Sequence, residues 1–126
     1  MDYKELIVWQ KSIDMAAEAY QLSRKLPSEE KFAMVSQIQR AAASVPANIA
    51  EGYGRGAPRE LSHFLSIAMG SLKEVESHII LCVRIGYLSE ADVTNVMHQI
   101  EEVAKMLYSL KKHCTNEKGR EVKEEI

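Results

Sequence analysis

Four times along the chain, apolar residues return at intervals of three and four, and three short breaks separate the runs. This spacing marks one face of an α-helix, and its repetition leaves few folds open. The first run is Leu6, Trp9, Ile13, Ala16 and Tyr20, closed by Pro27. The second is Val35, Ile38, Ala42, Val45 and Ile49, with Ser28 as its expected N-cap and Glu29 and Glu30 in the first turn. Gly52, Gly54 and Gly56 interrupt the chain, and Pro58 suits the opening of the next helix. The third run is Leu61, Leu65, Ala68, Leu72, Val75, Ile79 and Cys82, ended by Gly86. Ser89 with Asp92 resembles a capping box ahead of the fourth run, Val93, Val96, Ile100, Val103, Leu107 and Leu110.

These runs predict helices over about 4–25, 29–52, 58–85 and 90–113, and nothing alternates with period two for long enough to suggest a strand. Connections of a few residues force successive helices to run antiparallel, giving an all-α, up-down-up-down four-helix bundle over 1–113. The remaining stretch, 114–126, is polar and mixed in charge and is expected to fray. A chain of 126 residues suits one domain, and 46% hydrophobic with 27% charged residues is a globular balance.

Charge sets aside a dedicated nucleic-acid binder. Residues 1–63 carry eight basic and eight acidic side chains, residues 64–126 eight and ten, for a net charge of −2. Affinity for nucleic acid grows with the number of phosphates neutralised, so such proteins usually show a basic excess. The start, MDYKELIVWQ, lacks the pattern of a signal peptide, and no run approaches a membrane span. Cys82 and Cys114 have no CxxC spacing, which fits reduced thiols and a cytoplasmic protein without structural zinc.

The first helix carries a second apolar face. Val8, Met15 and Leu22 are spaced by seven, with Ala19 beside them, about 140° from the run that begins at Leu6. Isolated surface apolar residues are common, but a register of this kind fits burial against another copy. Ile67 and Leu81 on helix three also point away from their core run, so Val8, Met15, Ala19, Leu22, Ile67 and Leu81 form the expected oligomer interface. Small residues flank two core runs, Ala43, Ala47 and Ala50 on helix two and Ser62, Ser66 and Gly70 on helix three. They suit close approach inside the bundle and between subunits equally.

Helix two also presents a polar strip, Gln37, Arg40, Ser44, Asn48, Glu51 and Arg55, expected opposite the core. A solvated face would look the same, yet these side chains offer directional hydrogen bonds, and the strip runs into a glycine turn where Arg55 could meet a phosphate or carboxylate. The turn is no phosphate-binding loop of the GxxxxGK[ST] type. Pro46, inside the same helix, has no N–H to give the carbonyl of Ala42.

The segments QIQRAAASVPANIAEGYGRG and FLSIAMGSLKEVESH, with YKELIVWQKSIDMA and LPSEEKFAM ahead of them, resemble the four-helix-bundle family named for proteins encoded in 23S rRNA intervening sequences. The resemblance covers roughly residues 3–112. It implies a ring-shaped homopentamer of up-down-up-down bundles, and it does not imply an enzyme. A related branch includes the basic accessory protein of diversity-generating retroelements, which binds reverse transcriptase and nucleic acid. The balanced charge here departs from that branch.

Catalytic constellations are not found. Di-iron bundles need two Glu-x-x-His pairs pointing into the core, and Glu60 with His63 is the single such spacing. Glu74 with His78 and His98 with Glu102 are spacings common on solvated faces. None of the four apolar runs contains Asp or Glu, and Cys82 continues an apolar run. The expected function is a non-enzymatic homo-oligomeric binding or scaffold module without cofactor or metal. The alternative is weak RNA or DNA binding through Arg40, Arg55 and Arg59, multiplied around an oligomer.

Overall fold

A computed structural model describes the backbone of residues 1–125 and the side chains of residues 1–115. A 3-10 turn at Tyr3–Glu5 leads into α1 (Ile7–Ser23), and a second at Ser28–Glu30 precedes α2 (Met34–Gly54). Then follow α3 (Pro58–Arg84) and α4 (Glu90–Glu125), with no strand among the described residues. Each helix packs on the two beside it around a square: α1 on α2 and α4, α3 on α2 and α4. Side-chain bonds fix the antiparallel sense. Gln39 donates to Ser23 across α1 and α2, the Ser44 and Ser71 hydroxyls meet at 2.8 Å across α2 and α3, and Lys11 and Lys25 pair with Glu102 and Asp92 across α1 and α4.

Three of the four predicted core runs lie inside. Ile38, Ala42, Val45 and Ile49 of α2, Leu65 through Cys82 of α3, and Val93 through Leu107 of α4 are buried, with Val35, Leu61 and Leu110 packed against them. In α1 the core is formed mainly by the other face, and of the predicted run Ala16 alone is buried. Val8, Met15, Ala19 and Leu22 are buried in the bundle's own core, Met15 completely, and Leu26 continues their line. Leu6, Trp9 and Tyr20 are half-buried and Ile13 is exposed. The expectation that Val8, Met15, Ala19 and Leu22 form an oligomer interface is therefore corrected: the chain itself covers them. The misleading residues are Ser12 and Ser23, which interrupt the true core line with polar side chains. Each hydroxyl donates 2.7 Å back to the carbonyl three residues earlier, Trp9 or Tyr20, so burial leaves no unmade bond.

The helix termini depart from expectation at two points. Helix α2 begins at Met34 rather than near Ser28, and Ala33 makes no side-chain cap. The Glu30 carboxylate takes the cap's place, accepting from the Met34 N–H at 3.2 Å and from the Tyr87 hydroxyl at 2.7 Å. At its other end α2 runs through Pro46 and on to Gly54, so Gly52 lies inside the helix instead of breaking it. A Cβ on Gly52 would stand 2.7 Å from Cβ of Phe64, so α3 sits against bare backbone there. The turns proper are at Gly56 and Gly86, with φ of +81° and +88°. Ser89 and Asp92 form the reciprocal cap of α4: the Asp92 N–H donates to the Ser89 hydroxyl and the Ser89 N–H to the Asp92 carboxylate. The bundle reaches at least to Cys114, which is buried, while the side chains of 116–126, within the stretch expected to fray, lie outside those described. No helix among the described residues is long and apolar enough to cross a membrane.

A candidate interaction surface

With Met15 inside, Ile13 and Ala17 of α1 are exposed and Trp9 and Tyr20 half-buried beside Ala43, Ala47 and Ala50 of α2. Between the two rows runs an open groove of about 490 Å³, with Tyr3 at one end and Pro46 in its wall. Tyr3 stands edge-on to Trp9 at 5.2 Å between ring centres, which holds the indole along the groove. The small side chains on α2 make the groove: larger residues at 43, 47 and 50 would fill it. No charged side chain lines it.

The polar strip of α2 divides. Ser44 and Asn48 turn into the seam with α3, where Asn48 donates to the carbonyl and hydroxyl of Ser44 and Ser44 meets Ser71. The strip thus lies beside α3 rather than opposite the core, because the core side of α2 is wide and includes Ala41 and Gly52 as well as the predicted run. Arg55 is engaged. Its guanidinium is 3.1 Å from Glu51, 3.8 Å from Glu60 and 5.2 Å from the Phe64 ring centre. Gln37 and Arg40 project into solvent. The strip is therefore divided, a packing seam at Ser44 and Asn48 with exposed residues at either end, Gln37 and Arg40 before it and Glu51 and Arg55 after it.

On α3, Ile67 and Leu81 are 40% and 44% exposed. Ile67, Glu74 and Leu81 are spaced by seven, so they form one straight ridge on the outer side of α3. Sequence reasoning singled out Ile67 and Leu81 but missed the groove. Its signal was present in Ala43, Ala47 and Ala50, whose partner row on α1 had been assigned to the core.

Among the described residues the titratable groups with shifted proton affinity gather at one end of the bundle. Among the described residues no cluster of three His, Cys, Asp or Glu side chains could hold a metal ion. Glu60 is paired to Arg55, while His63 lies edge-on to Phe64. Burial, with help from Glu30, pushes the Cys82 thiol above its ordinary value, the opposite of what a nucleophile needs. The Tyr87 phenol is also raised, first by its hydrogen bond to Glu30. Asp92 is lowered, by the Ser89 backbone N–H and then by Lys25 and the Ser89 hydroxyl. These three shifts belong to the packing and capping of one bundle end.

Among solved structures, a protein of unknown function from the S23 ribosomal protein family of Bacteroides thetaiotaomicron has the same fold, with a TM-score of 0.78. It is 29% identical and aligns with 84% of this chain and 99% of its own. No curated protein matches the sequence. The family of 23S rRNA-intervening sequence proteins matches residues 4–109, nearly the whole bundle. By that match the chain belongs to the 23S rRNA-intervening sequence protein family.

Proposed function

We propose that the protein is a non-enzymatic homo-oligomeric binding or scaffold module that assembles through the groove between α1 and α2. One observation carries the reading: Trp9, Ile13 and Tyr20 line an open groove whose other wall is alanine, Ile13 exposed and Trp9 and Tyr20 only partly buried against the core. Leaving such a surface in water forgoes roughly 25 cal/mol for every Å² of apolar area that a partner would cover. The family resemblance supports a ring, five copies in number. Such a ring would present Gln37 and Arg40 of every copy as a repeated polar surface for a further partner.

Light scattering on the eluting protein tests the assembly, with a mass several times 14.2 kDa as the expected result. Ile13→Glu should reduce that mass to one chain while the helical circular dichroism stays intact, because Ile13 is exposed within the single bundle. A wild-type chain that stays monomeric across micromolar concentrations would refute the reading. Nucleic-acid binding has less behind it, since Arg55 is already neutralised by Glu51 and Glu60. A low-salt mobility shift lost in the Arg40→Ala, Arg59→Ala double variant would reverse that order.

A further inference from the structure

We draw no further inference here: the strongest candidate, the apolar groove of about 470 Å³ between the first turn of α1 and residues 105–110 of α4, lined by Leu6, Ile7, Met106 and Leu110, carries nothing because nothing in the structure shows what covers it.

Discussion

Replacing Gly52 by Ala reports on how closely α2 and α3 approach, and its sign is not the one helix propensity gives. In a helix interior, Gly→Ala is worth about 1 kcal/mol in favour of folding. Here the new methyl would stand 2.7 Å from Cβ of Phe64 and 3.3 Å from Cδ1 of Leu61. A Cβ cannot rotate away, so relief requires the helices to part by roughly 0.7 Å, a gap that forfeits a quarter to a half of each contact around it. Ile49 and Leu65, both at most 1% exposed, are among the core residues of these two helices. Overpacking of this kind costs about 1–3 kcal/mol, and the upper part of that range applies where backbone must move. The net expectation is a loss of about 1–2 kcal/mol, or a fall in Tm of about 4–8 °C for a chain of this size. Gly54→Ala, two residues on in the same helix with nothing within 4 Å of the added methyl, should be neutral or stabilising. Urea midpoints and calorimetric Tm values at one fixed protein concentration would decide the matter. If Gly52→Ala equals or exceeds wild type while Gly54→Ala behaves as stated, the close approach of α2 and α3 is wrong.

Met15→Ala should cost about 2–5 kcal/mol in urea denaturation, because Met15 is fully buried; a loss below 1 kcal/mol would return that residue to the surface. Tyr87 holds its proton more tightly folded than unfolded, so its contribution is whole below the ordinary phenol value of 10.0 and is lost as pH rises through the higher folded value. Wild type should therefore lose Tm faster than Tyr87→Phe above pH 10, and identical alkaline curves would remove the Glu30 bond from the account. Asp92 behaves in the opposite sense: its lowered value gives stability present above 3.8 and lost as pH falls towards the folded value. Asp92→Asn should flatten that acid limb of the stability curve, and an unchanged limb would count against the cap.

How much of this could be read from the sequence differs by helix. In α2, α3 and α4 the apolar runs from Ile38, Leu65 and Val93 are regular enough for their buried faces to be read directly. In α1 two faces compete, and the one with aromatic residues looks the stronger. The chain buries the other, because Ser12 and Ser23 satisfy their hydroxyls locally and Met15 fills space without branching. Periodicity counts apolar side chains and cannot register a serine that has already found its bond. Gly52 was misread for a related reason: a glycine's backbone freedom is written in the sequence, whereas the Phe64 side chain across the seam is not. Of the candidate surface, the small residues of α2 and the outward Ile67 and Leu81 were legible. The row facing Ala43 and Ala47 depended on the assignment of α1, and so was not.

The carboxylate of Glu30 joins two chain reversals that are distant in sequence, the one entering α2 and the one leaving α3. Lys25 and Asp92 add a second tie at the same end of the molecule. These turns therefore cannot come loose independently: freeing the Met34 amide also strands the Tyr87 hydroxyl. Amide hydrogen exchange should then show the first turns of α2 and α4 opening as one cooperative unit, with the remainder of the bundle still protected.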